Sequence, residues 1–447
     1  MQPIPDADVI VAGGGIAGVF AALASAREGA RTVLVERLGI LGGNFGPGYM
    51  QGGSLTYDRS IQGGLRPALA AEFLRRVAEL RGDRAPTYDL EAPIASYVVT
   101  RMLHDSGVIP LLSACAAAPV VENGLVRGLN VETVSGRHAI PAKVVIDATG
   151  EAGVARRAGC PMLRPTDTRS PEELDAVARL SRLYADYNEA ETTRLMGTAT
   201  MGGMMFLAGV DSDAFNAHLA SGGKPCRLCD ADFQQRFITA GPATVRLRFL
   251  TAHTCGRGLA AVRLAVNDLP DAADPVLIGA VESQWRIACF ETVQLMRRHT
   301  PGCRDAYLLL VSPFLGSRGG TCIHGEHYFS VIDVDAQRRF DDVIYTMNLV
   351  NDPGEPVGRT CDVPYRALLP KGLDGLLCAG RSASHRLLLR TRPHCTLQGI
   401  AAGAAAALAV KTGVTPKTLD IKSLQRRLLA GGCTLGDPQR LAELGLS

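Results

Sequence analysis

The chain has almost no charge imbalance: 47 Lys and Arg stand against 44 Asp and Glu over 447 residues, a formal +3. A charge that small, with no Lys/Arg cluster interleaved with aromatics, creates no basic field and argues against a nucleic-acid partner. The first residues, MQPIPDADVIV, lack a charged segment followed by an apolar one and a small-residue cleavage site. No secretory leader is expected there, and the expected location is the cytoplasm. The most apolar late stretch, Gly399 to Val410, is shorter than the ~20 residues a bilayer span needs. It reads as a buried helix, so no membrane insertion is expected. Twelve cysteines are scattered without a framework, which favours reduced thiols over disulfides. The one close pair, Cys226 and Cys229, has redox or metal-knuckle spacing. No second CxxC follows at zinc-site distance, so no metal is expected.

What the sequence does contain is concentrated near its start. Asp8 to Arg37 reads DVIVAGGGIAGVFAALASAREGARTVLVER: an apolar strand, a glycine turn, a helix, then a second strand ending at Glu36. Gly13 permits the tight turn, Gly15 lets backbone approach a pyrophosphate, and Gly18 lets the helix pack on the strand. The start of that helix offers unpaired N–H groups and a positive dipole end to phosphates. Glu36 is placed to accept hydrogen bonds from an adenosine ribose. The spacing therefore points to dinucleotide binding in an α/β fold. Leu41 to Gly48 is too rich in glycine for helix or strand and reads as a loop running along the ligand.

Further along, Pro67 to Arg81 and Ala95 to Ser106 read as helices and Val108 to Leu112 as a strand. Pro119 to Val121 and Leu125 to Thr133 flank an Asn123-Gly124 turn signal, giving a hairpin, and His138 to Ala142 adds a strand. Lys143 to Ile146 is an apolar strand leading into Asp147-Ala148-Thr149-Gly150-Glu151. Small residues there leave room for a diphosphate–adenosine portion, with the Thr149 hydroxyl available to it. After a dinucleotide motif and a hairpin insertion, that tetrapeptide points to FAD more than NAD.

A polar, proline-bounded stretch from Pro165 to Pro171 marks a boundary. Beyond it come a helix over Pro171 to Met196 capped at Ser170, an irregular strand over Gly197 to Gly209, and a strand over Val245 to Ala252. A long helix over Pro275 to Arg298, holding the single tryptophan, Trp285, and a buried strand over Tyr307 to Val311 follow. The expected domains are 1–164 as the first part of an FAD-binding unit, 165–354 as a substrate or cap unit, and 355–447 as the second part. Gly316 to His327 packs Arg318, Cys322, His324, Glu326 and His327 into a glycine-rich loop after a strand, a common way to build a site. Val363 to Leu369 and Leu373 to Ala379 read as strands, the latter opening into Gly380-Arg381-Ser382-Ala383-Ser384-His385. An alanine-rich helix after Gln398 has small residues that allow close approach to a cofactor and a positive end facing it.

These later segments carry a resemblance. VPYRALLPKGLDGLLCAGRSASH, from Val363 to His385, with Arg390, Pro393, Cys395, Gly399, Ala401-Ala402-Gly403 and Ala405 to Leu408, resembles the carboxy-terminal signature of the bacterial FAD-dependent oxidoreductase family within the glutathione-reductase-like flavoproteins. Pro301-Gly302, Ala306 to Leu308, Gly209 to Asp211 and Val144 to Gly150 fit the same pattern. The resemblance implies a Rossmann-like FAD-binding domain of glutathione-reductase type, completed by the carboxy-terminal segment, with an inserted α+β substrate domain. It implies FAD contacts at Gly13, Gly15, Gly18, Glu36, Gly43, Thr149, Gly150, Gly380, Arg381 and Gly403. Ile16, Ala17, Arg37, Gly42, Asn44, Gly399 and Ala402 stand beside them as further expected contacts. Where the family carries an arginine-rich loop, this chain retains Arg318, Ile323, Gly325 and Glu326 but has Gly319, Gly320, Thr321 and Cys322 elsewhere. Two arginines are missing, which suggests a substrate with less negative charge.

The flavin carries the hydride chemistry, so the protein must orient substrate and move protons. His385 is the first candidate acid/base, with His324 and His327 next. Arg318, Arg390 and Arg392 are candidates for fixing a carboxylate or carbonyl. Cys322 is a candidate nucleophile or flavin tether. No second GxGxxG follows a strand, so a built-in NAD(P)H domain is not expected. Electrons would pass between a small organic substrate and an external partner: oxygen, a quinone or a separate reductase. A different class, an electron-transfer or scaffold flavoprotein subunit using Cys226 and Cys229, stands as the alternative; cysteine spacing of the cluster type is missing.

Overall fold

The computed structural model describes residues 6–49, 67–82, 92–183, 199–223, 237–240, 243–350, 356–386 and 389–446. Cys226, Cys229, the end of the expected 171–196 helix and the 352–355 linker lie outside them.

Strands Val9–Ala12 and Thr32–Glu36 are wholly buried, as near-continuous apolar runs are when a parallel sheet is covered on both faces. They sit in a five-stranded parallel sheet ordered Leu376–Cys378, Val144–Asp147, Val9–Ala12, Thr32–Glu36, Ile109–Leu112. The order reverses beside Val9–Ala12, so the carboxyl ends of this strand and of Val144–Asp147 open the crevice where such sheets bind ligands. One strand comes from the carboxy-terminal part, pairing Leu376 with Val145 and Cys378 with Asp147.

Helix Ile16–Arg27 packs on this sheet and is itself covered by helix Arg392–Thr412. Residues Ala17 to Ser25 are therefore all buried. A Cβ at Gly399 would stand 2.3 Å from the Ala17 carbonyl oxygen, and one at Gly403 would stand 2.2 Å from that of Ala21. Only glycine allows the two backbones to approach this closely. The late helix is longer than expected, 21 residues rather than the stretch from Gly399, because Arg392 to Gln398 is already helical. By length and composition it is apolar enough to cross a membrane, but 83% of its most apolar window is buried inside the protein.

The expected hairpin forms a three-stranded meander of Cys115–Glu122, Leu125–Thr133 and Gly136–Pro141. Its turn holds Asn123 at φ 51 and Gly124 at φ 76, the left-handed pair that two-residue hairpins prefer.

A second sheet is antiparallel and ordered Phe237–Ala240, Ala243–Gly256, Leu259–Leu269, Ala199–Ala208, Tyr307–Val311, with Gly316–Arg318 also paired to Ala199–Ala208. Helix Pro275–His299 covers one face. It starts at Asp274, whose side chain accepts from the N–H groups of Val276 and Leu277. Trp285, fully buried, donates Nε1 to the Leu264 carbonyl at 3.2 Å, and its ring occupies the space above Gly203, where a Cβ would stand 2.7 Å from Cζ2. That is why Ala199–Ala208, expected to be irregular, is a regular strand buried at every position. Tyr307–Val311 is not the buried strand expected: it lies at the sheet's edge with Tyr307, Leu309 and Leu310 exposed. Val363 to Leu369 also divides differently, into strand Pro356–Pro364 and a 3-10 turn Tyr365–Leu368.

Among the described residues, one core lies on each face of the parallel sheet and one under the antiparallel sheet. The one under the antiparallel sheet draws its buried residues from Ala199 to Leu315. Ala176, Val177, Leu180, Phe329, Val334, Phe340 and Tyr345 pack instead with one of the parallel-sheet cores, so the separate middle core is narrower than the expected 165–354.

Candidate functional site

The glycine turn interlocks two loops at the crevice. Gly13 takes φ +100, and a Cβ there would stand 2.6 Å from the Ala148 carbonyl oxygen; one at Gly18 would stand 1.7 Å from that of Gly13. Gly15 differs: a Cβ there would meet none of the described residues within 4 Å. Among the described residues, no neighbour demands glycine at this position and no side chain caps the helix that Ile16 and Ala17 begin. The first-turn N–H groups and the open space before Gly15 thus face the same way, the arrangement that suits a diphosphate. Gly42 N–H donates to the Gly14 carbonyl at 2.9 Å, and Gly43, at φ +53, lies across Gly15, its Cβ position 2.9 Å from the Gly15 Cα. The 42–48 loop therefore closes over the turn, with Asn44 in the 3-10 turn Gly43–Phe45. Glu36 turns its carboxylate back to this turn, accepting from Gly14 N–H at 2.6 Å and Leu38 N–H at 2.8 Å. An open phosphate cradle, an uncapped helix start and an acid at the end of the second strand fit the adenosine diphosphate half of FAD. Arg37 points elsewhere: its guanidinium lies over the Phe314 ring, 5.7 Å from the centroid.

The second loop is built on Asp147, which is fully buried. Its carboxylate accepts from Thr149 N–H (3.0 Å) and Oγ1 (2.7 Å), and from the N–H groups of Val154 (2.8 Å) and Ala155 (2.9 Å). The Thr149 hydroxyl, expected to reach a cofactor, is thereby committed to Asp147, and it also accepts from Gly153 N–H at 2.8 Å. Ser382 Oγ accepts from Gly150 N–H (3.0 Å) and Ala152 N–H (3.1 Å), fastening the Gly380–Ser382 turn to the same loop. Gly380 takes φ +69 against Ala17.

Arg381 lies beside Gly150 but serves as a strut. Its Nη1 donates to Glu151 Oε1 (2.6 Å), Ser317 Oγ (2.8 Å) and the Gly319 carbonyl (2.7 Å). Glu151 Oε2 in turn accepts from Thr321 N–H at 3.0 Å. The 316–321 loop of the antiparallel sheet is thus tied to the crevice. Gly399, Ala402 and Gly403, expected at the cofactor, lie in the buried helix contact and core instead.

The expected catalytic groups fare differently. His385 is 2% exposed; Nε2 faces the Gly380 carbonyl at 2.9 Å and Nδ1 accepts from Leu389 N–H at 3.3 Å. Burial, with His394, Arg381 and Arg390 nearby, lowers its pKa to about 3. With both ring nitrogens held by backbone and the ring neutral, His385 is a structural residue rather than the acid/base expected of it. Cys322 is buried, and burial raises its thiol to about 12, so it is not the thiolate that a nucleophile requires. His324 is half-buried with Nε2 3.1 Å from Lys371 Nζ; burial first, then Lys371 and Arg386, lower its pKa. It accepts from the ammonium as a neutral ring. His327 pairs with Asp333 at 3.0 Å. Arg390 leads into the late helix near His385. Arg318 alone of these lies in the antiparallel sheet, opposite Thr200.

Reading by motif passed over Arg263, Thr200, Glu151 and Ser382. Arg263 had one signal: it is the single cation in the mostly apolar run LAAVRLAVNDL. On that strand Arg263 pairs with Met204. Met204 and Phe206 belong to the sheet face opposite Trp285, and the Phe206 ring meets Tyr49 at 5.2 Å. Ser312 Oγ also donates to the Gly48 carbonyl at 2.9 Å. This face of the sheet therefore roofs the loop that closes over the glycine turn.

A parallel sheet with a phosphate cradle at its switch point, roofed by a second sheet, defines a dinucleotide-binding enzyme. Residues 8–428 match the FAD dependent oxidoreductase family. The chain belongs to that family: it is an oxidoreductase, and its cofactor is FAD. A digeranylgeranylglycerophospholipid reductase of Methanoculleus marisnigri is 31% identical over 168 residues, 35% of this chain and 42% of that protein. Its namesake from Methanosphaerula palustris is 28% identical over 205 residues, 42% of this chain and 49% of that protein. The matched region spans less than half the length of either relative. Among solved structures, a geranylgeranyl bacteriochlorophyll reductase-like protein of Thermoplasma acidophilum gives a TM-score of 0.45 at 14% identity, covering 99% of this chain and 96% of that one. A myxobacterial chondrochloren halogenase gives 0.42 at 12%, covering 95% and 79%.

Proposed function

We propose that this enzyme moves a hydride between FAD and a small organic substrate held between the crevice and the antiparallel sheet, in a glutathione-reductase-type FAD domain with the sheet as an inserted substrate domain. The observation that carries this reading is the junction of the two units: Tyr49 against Phe206, Ser312 on Gly48, and Arg381 on Gly319. Three separate contacts fix a roof over the loop that closes on the glycine turn, and a roofed space excludes water from a hydride acceptor. Bound there, FAD supplies the two-electron chemistry. The chain's own share is to seat the adenosine diphosphate at Gly15 and Glu36 and to hold the 316–321 loop in place through Arg381 and Glu151. The second half-reaction is assigned to an external partner: oxygen, a quinone or a reductase.

Anaerobic mixing of the FAD-loaded protein with candidate substrates tests the reading. Bleaching of the flavin absorbance by a small molecule alone is expected. Reduction only through a partner protein would overturn it and favour an electron-transfer subunit.

A further inference from the structure

Arg263 is the one residue of its strand that places a cation under the roof. Its Nε is buried without a hydrogen-bond partner, and the charge that bears on it is a second cation, Arg318. Burial first and Arg318 second push its pKa down to about 10, which still leaves it charged at neutral pH. The sheet register explains how the two arginines meet. Arg263 lies opposite Met204 and Arg318 opposite Thr200. Gly202, midway between these positions on strand Ala199–Ala208, pairs with Ala265 on one side and Gly316 on the other. Side chains alternate faces along a strand, so Thr200, Gly202, Met204, Arg263, Ala265 and Arg318 share the roof's inner face. Two long cations thus flank a patch of glycine and alanine. Thr200, 8% exposed, adds a buried hydroxyl with no partner.

A guanidinium whose Nε is buried with no partner is costly unless something negative completes it. Guanidinium forks match oxyanions in charge and geometry. We propose that Arg263, Arg318 and Thr200 form a subsite for an oxyanion carried by the substrate, a carboxylate or a phosphate. This deepens the proposed function and rests on it for the word substrate. It also supplies positive charge that the 318–327 loop lacks: Thr321 and Cys322 stand where the family's loop carries arginines, and the cation beside Arg318 comes from another strand of the sheet. The subsite lies at the start of the loop that Arg381 and Glu151 tie to the crevice, which would point the substrate's uncharged part toward the flavin.

Calorimetric titration of the FAD-loaded full chain with inorganic phosphate, and separately with acetate, tests the subsite. Saturable binding of at least one probe is expected, weakened by added sodium chloride and at least tenfold weaker in Arg263→Gln and in Arg318→Gln. Arg263→Lys should recover part of it. The probe bound more tightly identifies the substrate's group as phosphate or carboxylate. Saturable binding of neither probe, or undiminished affinity in both Gln variants, would overturn the proposal. Flavin bleaching by candidate substrates in the same samples reports the hydride-transfer reading separately: anion binding that depends on Arg263, with no small molecule able to bleach the flavin, would leave the subsite standing and sink that reading.

Discussion

Arg381 and Glu151 form an ion pair at 2.6 Å that joins segments 230 positions apart in the chain. The same Arg381 nitrogen holds Ser317 and Gly319, so one guanidinium sets the position of the loop leading from Arg318 to Cys322. Hydrogen bonds to charged groups contribute about 1.5–3 kcal/mol each, less where water screens them as at this partly exposed pair. Arg381→Ala is expected to release the loop while leaving the parallel sheet folded. Trypsin should cleave after Arg318 several-fold faster in the variant, as read by mass spectrometry of the first fragments. An unchanged cleavage rate there would contradict the strut.

The glycines of the late helix have a different purpose from the one their positions suggested. With the Ala21 carbonyl 2.2 Å from its Cβ position, Gly403→Ala must push the two helices apart. Overpacking of this kind costs about 1–3 kcal/mol and occasionally more. The melting temperature of the FAD-free protein should fall by several degrees. A Gly403→Ala protein as stable as the parent would show that the helices are not in that contact.

The parts of the fold that were legible from residues alone are those whose spacing is itself geometry. The turn at Gly13 to Gly18, Glu36 at the end of the second strand and the Asn123-Gly124 hairpin each require particular residues at fixed offsets. The catalytic candidates were not legible in the same way. A histidine or cysteine shows its chemistry in the sequence, but not its burial: His385 gives both ring nitrogens to backbone and Cys322 keeps its proton. Gly399 and Gly403 reported a close approach correctly but not its partner, which is a helix and not a ligand. Arg263 has no motif, and only the sheet register brings it near Arg318.

His385 has a consequence for acid stability. Its folded pKa, about 3, lies below the ordinary value, which is about 6.5. Between those values the unfolded chain binds a proton that the folded chain refuses. The neutral form's stabilisation is therefore complete above the ordinary value and is lost as pH falls below it. The slope for one such group approaches about 1.4 kcal/mol per pH unit. Urea midpoints measured at pH 7, 5 and 4 should fall more steeply in the parent than in His385→Asn. Parallel pH profiles would contradict the buried neutral ring.

The claim on which the others depend is that FAD lies with its diphosphate before Gly15, where none of the described residues requires glycine. Among the described residues, a Cβ at Gly15 meets no atom within 4 Å, whereas one at Gly18 collides with the turn. Measuring FAD affinity and thermal stability together on FAD-free Gly15→Ala protein tests this directly. The expected result is a melting temperature within a degree or two of the parent, with FAD bound at least tenfold more weakly. Undiminished FAD affinity in a stable Gly15→Ala protein would contradict it.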